Sequence, residues 1–348
     1  TSGMAEDMQL SFKKVEVGHV PFSDSTSTLI GPGQILVLGR VSDGPHCVIV
    51  TVLPNGVVQA DPIDCPVLAN VSFRSVTRIR DDVFLCGGRG SHIGEDEDGR
   101  NLYEDPGLLW KYHIPDLSWS QTEERGDTWP VSMHGHVAAE VDGHMFVAGG
   151  HGNGNRLSCS LYDPSSGVWV PKPDACGKVY CSRSVVVDGV LHCFGGFGMS
   201  SAQHLSCNLS DFSWTRHPDM PFSTKHPAVW SLPPYAVVSG GVHHHNTHAL
   251  HLGTGEWEDW GEAPVPGVRV SACPLDSATT FIHSADGSFI ATSETVLERE
   301  RVAAFNAAVS LAADTKITAE IERLAPRVES TLHHLRAVIP TPDTDMSA

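Results

Sequence analysis

The chain has 348 residues, more than one ordinary core needs, so two domains or one large repeat fold are expected. Its 41% hydrophobic content is enough to fill a core, while 33 Gly and 23 Pro point to many turns and few long helices. With 23 Lys plus Arg against 41 Asp plus Glu, the net charge of −18 disfavours binding to nucleic acid or to an anionic membrane surface.

The first eight residues read as a flexible tail, with Thr1-Ser2-Gly3 as a cloning remnant ahead of a natural start at Met4. They lack a basic region followed by an apolar one, so no signal peptide is expected. No apolar run approaches the ~20 residues of a membrane span, so no membrane insertion is expected. The nine Cys are an odd number without a Cys-x-x-Cys pair, which suits reduced, buried thiols and a cytoplasmic location.

From residue 9 the chain reads as strands. Gln9–Val17 is a lone strand ahead of the first repeat unit. A short apolar run ending in two glycines then recurs, at Gly87-Gly88, Gly149-Gly150, Gly195-Gly196 and Gly240-Gly241, with a degenerate copy at Gly39-Arg40. The steps between first glycines are 48, 62, 46 and 45 residues. The long step holds an acidic insertion, Gly94–Asp105, expected to be a mobile partner-contacting loop rather than a calcium site, since Arg100 stands where a calcium loop needs an oxygen ligand.

A second landmark keeps register with the first. Tyr112 precedes Trp119 by seven residues, and Tyr162 precedes Trp169 by the same interval. Cys207 and Trp214, then Leu250 and Trp257, keep the spacing with other first residues. Each unit reads as four short strands. In the fourth these are Ser182–Val187, Val190–Gly196, His204–Leu209 and a strand opened by Trp214, with an Asp188-Gly189 hairpin turn between the first two. The sixth unit supplies only three strands, Val270–Pro274, Thr279–His283 and Ser288–Thr292. The 9–17 strand is therefore expected to complete it and close a ring.

Two glycines followed by Tyr-x6-Trp, at about one unit per 45 to 50 residues, resembles the kelch repeat. The resemblance covers roughly Ser23 to Ser293. It implies an all-β, six-bladed β-propeller over residues 9–293. After Thr292 the composition shifts to Ala, Glu, Arg and Leu. Thr295 with Glu298 makes a capping box, and Ile317, Ile321, Leu324, Val328, Leu332 and Leu335 lie at helical spacing. A C-terminal helical appendage is expected over 294–339, packed on the propeller or serving self-association, with a flexible tail over 340–348.

The inner strands of a propeller start at one mouth of its channel, where kelch adaptors often place Arg to hold acidic peptides. The resemblance carries that role to Arg74, Arg183 and Lys225-His226, with His134, His136 and Arg269 as looser matches and Arg78 further along the strand of Arg74. A guanidinium fork suits carboxylate bidentately. His243-His244-His245 looks like a metal site, but no spacing there makes ligands converge, so a solvated loop is expected and no cofactor is assigned. No Gly-rich phosphate loop, Gly-x-Ser-x-Gly elbow or His-Glu-x-x-His motif appears. The expectation is a non-catalytic interaction module that binds an acidic or polar partner segment. The alternatives are a small-molecule enzyme of the propeller class, such as a sugar oxidase or mutarotase, and a cytoskeletal cross-linker.

Overall fold

A computed structural model describes residues 10–17, 23–40, 47–53, 57–66, 74–90, 92–95, 101–103, 109–122, 133–151, 157–198, 201–242, 244–264, 270–284 and 287–296. The first two blades contain β2 (Ser23–Gly31), β3 (Gln34–Arg40), β4 (Cys47–Val52) and β5 (Val58–Pro62), then β6 (Ser75–Ile79), β7 (Asp82–Cys86), β10 (Trp110–His113) and β11 (Ser118–Gln121). Between β7 and β10 lies a small hairpin, β8 (His92–Glu95) and β9 (Asn101–Tyr103). The third blade is β12 (Val137–Val141), β13 (His144–Ala148), β14 (Cys159–Asp163) and β15 (Val168–Lys172). The fourth is β16 (Arg183–Val187), β17 (Val190–Phe194), β18 (His204–Asn208) and β19 (Ser213–Arg216). The fifth is β20 (Ala228–Leu232), β21 (Tyr235–Ser239), β22 (Asn246–His251) and β23 (Glu256–Glu262). The last is β24 (Ser271–Pro274), β25 (Thr279–Ser284) and β26 (Gly287–Ser293), with β1 (Leu10–Val15) as its outer strand.

The first strands of the blades neighbour one another in the closed cycle β2, β6, β12, β16, β20, β24. This is a six-bladed β-propeller, and β1 closes it. It pairs antiparallel with β26 from Leu10 opposite Ser293 to Val15 opposite Ser288. Its side chains alternate between two seams: Leu10 and Phe12 pack towards blade five, Val15 towards blade one.

Six apolar clusters fill the six seams between blades. The seven-residue Tyr-to-Trp interval is the hairpin between third and fourth strands: Tyr112 pairs with Trp119, Tyr162 with Trp169, Cys207 with Trp214 and Leu250 with Trp257. The ring centroids of both Tyr–Trp pairs lie 4.9 Å apart. Each Trp packs into the seam with the preceding blade, and Val58 fills the same place in blade one.

The diglycines have a steric cause. Gly149 sits at φ 71°, and a Cβ there would overlap the Val179 carbonyl and stand 2.5 Å from the Val179 Cβ. Gly189, in the Asp188-Gly189 turn, has a similar φ of 75° and open space around it. Gly149→Ala is therefore predicted to cost about 2–5 kcal/mol, backbone strain plus overpacking. Gly189→Ala should cost only the backbone part, about 1–2 kcal/mol. Urea denaturation of the two variants checks this, and equal losses would contradict it.

Two expectations change. The acidic insertion carries the β8–β9 hairpin, paired from His92 with Tyr103 to Glu95 with Asn101, so part of it is ordered strand. The helical turn after β26 begins at Glu294, and the Ser293 hydroxyl accepts the Val296 N–H at 3.3 Å. Ser293 is thus the cap of that turn rather than Thr295, because it ends the strand with its hydroxyl facing the new N–H groups. The tails and most of the expected appendage, 1–9 and 297–348, lie outside the described residues. Among the described residues no helix is long and apolar enough to cross a membrane.

Candidate binding site at the channel mouth

The strand register places the start of each inner strand beside the end of the second strand: Ser75 opposite Cys86, Val137 opposite Ala148, Arg183 opposite Phe194 and Ala228 opposite Ser239. The diglycines and the inner-strand starts therefore share one end of the channel. There, the second glycine of three of the four pairs staples its blade to the next. Gly88 N–H donates to the Met133 carbonyl at 2.9 Å, Gly150 to Val179 at 2.6 Å and Gly196 to Thr224 at 3.1 Å.

A backbone belt links the loops entering the inner strands. The Cys181 N–H donates to the Gly135 carbonyl at 2.9 Å, His226 to Cys181 at 3.2 Å and Val270 to His226 at 3.2 Å. Gly135, Cys181 and His226 have φ of 68°, 59° and 53°, a conformation that costs a non-glycine residue about 1–2 kcal/mol. Nothing about a Cys or His suggests such a backbone. Their separations of 46 and 45 residues, however, match the diglycine steps, and that was the available signal.

The expected basic residues divide into two groups. Arg183 and Lys225 stand at this mouth, and the charges of both, with that of Arg89 from blade two, act on the Cys181 thiol. Burial nonetheless raises the Cys181 pKa, opposed by a hydrogen bond from Tyr180 and by those three cations. Lys225 Nζ lies 5.2 Å over the ring of Phe197, a side chain 52% exposed. Tyr180 packs against Phe197, His151 and His134 at 5.7, 5.4 and 5.7 Å, and its hydroxyl lies 3.4 Å from His134 Nε2. The mouth thus presents cations beside aromatic faces, which suits carboxylates flanked by apolar groups. Sequence reasoning missed Arg89, Tyr180 and Phe197. Arg89 and Phe197 each directly follow a diglycine, a position that the repeat register could have marked.

The other group turns inward or away. Arg74 precedes β6, but its charge acts on the Cys47 and Cys65 thiols of blade one, and burial lowers its pKa to about 10. Arg78 lies towards the far end of β6 and donates to the Leu29 and Arg80 carbonyls at 3.0 and 2.9 Å. His136 is buried in the seam with blade two, its Nε2 2.6 Å from Ser75 Oγ. Burial, then the charge of Arg183, lowers its pKa to about 4. His226 is buried and serves the belt. Arg269 and His243 lie outside the described residues.

The histidine loop differs from a solvated one. His244 stacks on Phe222 at 4.4 Å, and burial lowers its pKa to about 4; His248 stacks on the same ring at 4.1 Å, while His245 is exposed. His251 points to the other face of the strand, against Tyr235. Phe222, from the loop between blades four and five, supplies the apolar surface that draws the two rings in.

The chain matches no protein-family model and no curated protein. Among solved structures it is similar to one described as "Structure of YjhT", at 14% identity and a TM-score of 0.63, over 80% of this chain and 95% of that one. That likeness extends to the propeller fold.

Proposed function

We propose that this protein is a kelch-type, non-catalytic recognition module whose channel mouth binds an acidic or polar segment of a partner protein. One observation carries the reading: the charges of Arg89, Arg183 and Lys225, from blades two, four and five, all act on one buried thiol at the mouth of a chain with net charge −18. Long-range attraction would not bring an acidic segment to such a surface, so the local cations select it. Phe197 and Tyr180 favour a segment with an apolar or aromatic residue among its carboxylates. Nine free thiols, Cys176 alone exposed, agree with a reducing, cytoplasmic setting. Residues 294–339 serve assembly in this reading, which rests on the helical spacing of their apolar residues.

The test is fluorescence anisotropy with a labelled octapeptide of Asp and Glu around one Phe, beside its Lys counterpart. The acidic peptide is expected to bind and the basic one not. Arg183→Glu with Lys225→Glu should weaken binding at least about tenfold, with a steep salt dependence in the parent protein. Equal binding of both peptides, or an unaffected double variant that retains its fold, would overturn the reading.

A further inference from the structure

The repeat register exposes an anomaly on blade four. Three residues before the first glycine, the second strand of blades two, three and five carries Phe84, Phe146 and Val237, each packed in the seam with the next blade. Blade four has His192 there. Three residues before the Tyr position of the third strand, blades two and three bury Leu109 and Cys159; blade four has His204. Two apolar seam positions have thus become histidine in one blade only among these. A third histidine, His217, follows β19, and its N–H donates to the His204 carbonyl at 3.0 Å.

All three rings project from the same face of blade four. Phe194 pairs with His204 and His192 with Ser206, which puts alternate residues of β17 and β18 side by side. One ring nitrogen from each histidine lies within 4.8 Å of the other two. His192 Nδ1 stands 3.0 Å from His204 Nε2, and Ser206 Oγ holds His217 Nε2 at 2.8 Å. The His204 ring lies between Phe194 at 4.6 Å and His217 at 4.2 Å. His192 and His204 are 8% and 4% exposed, whereas His217, just after the outer strand β19, is only half-buried.

We infer that His192, His204 and His217 form a binding site for a divalent transition metal of the zinc class, with a fourth position open towards solvent on the His217 side. Three imidazoles are a ligand set that zinc, copper and nickel accept. Nitrogens about 2.0–2.1 Å from a tetrahedral zinc stand about 3.4 Å apart, close to the His192–His204 separation. No pair exceeds 4.8 Å, so none must close by more than about 1.4 Å, a distance that small side-chain rotations cover. Burial lowers the pKa of His192 to about 4 and of His204 to about 3, and lowers that of His217 as well, so all three are neutral and ready to ligate at neutral pH. The Ser206 hydroxyl gives His217 a hydrogen-bond partner of the kind that outer residues provide at metal-bound histidines. The site is separate from the channel mouth and does not depend on the recognition proposed there.

The experiment is titration of the chelator-treated full chain with Co²⁺, followed by displacement with Zn²⁺. One equivalent of Co²⁺ is expected to give the visible ligand-field bands of a low-symmetry site, lost when Zn²⁺ is added. His217→Ala, which removes a half-buried ring and should leave the seam folded, is expected to weaken binding by at least about tenfold, and Ser206→Ala by about tenfold. His244→Ala with His245→Ala should leave the bands and affinity unchanged. Absence of the bands in the parent protein, or affinity that survives His217→Ala and vanishes with the His244/His245 pair, would overturn the site.

Discussion

A chain lacking residues 1–15 is expected to lose cooperative folding of the whole ring, not of one blade. β1 supplies the fourth strand of the last blade through six opposed residue pairs with β26. Its removal opens that strand as an unpaired edge and takes Leu10 and Phe12 from one seam and Val15 from the next. Burial of each such side chain contributes about 1–3 kcal/mol, so the total approaches a large share of the about 5–15 kcal/mol that holds a typical domain. Neither adjoining seam can repack alone, because the blades on both sides are fixed by their own neighbours. Far-ultraviolet circular dichroism and thermal melting of the truncated chain check this. A sharp transition within a few degrees of the full chain would contradict the closure, and recovery of the transition on adding a peptide of residues 9–17 would support it directly.

Acid is expected to destabilise the propeller well above the pH at which carboxylates protonate. His136 and His283 are buried, bonded to Ser75 and Ser288 through contacts of 2.6 Å, and burial lowers the pKa of each to about 4. An unfolded histidine titrates near 6.5, so between pH 6.5 and 4 the unfolded chain binds protons that the folded one does not. Their contribution is fully present above pH 6.5 and is lost as pH falls towards 4, at about 2 kcal/mol each by pH 5. Metal-free His192 and His204 shift the same way. Falling net negative charge relieves some surface repulsion and offsets part of the loss. Urea midpoints measured with chelator at pH 7.5, 6 and 5 should fall steadily, and His283→Gln should flatten the slope by about one proton. A flat or rising profile would contradict the prediction.

The fold was legible because a propeller is written in periodic steric demands. A glycine is needed wherever one blade's loop passes against the next, as Gly149 passes Val179, and an apolar ring is needed at each seam, as Trp169 shows. Such demands recur once per blade and so stand out in a single sequence. The strands expected in blades four and six, and the closing strand, match the observed ones to within one or two residues at their ends.

The candidate sites were only partly legible. Arg74 and Arg183 each stand at the start of an inner strand, yet the charge of one acts on the thiols of blade one and that of the other at the mouth on Cys181. Position along a strand fixes which end a residue occupies, not which way a long side chain leaves it. The histidines make the same point from the other side: the crowded run at 243–245 drew attention, while His192, His204 and His217 are spread over 26 residues of chain and meet only because three strands fold side by side. Sequence alone determined the repeat, its register and the ring, because each is imposed locally and many times over. Tertiary structure decided which charges and imidazoles come together, because that depends on single side-chain directions and on neighbours from other strands and blades, which no periodicity encodes.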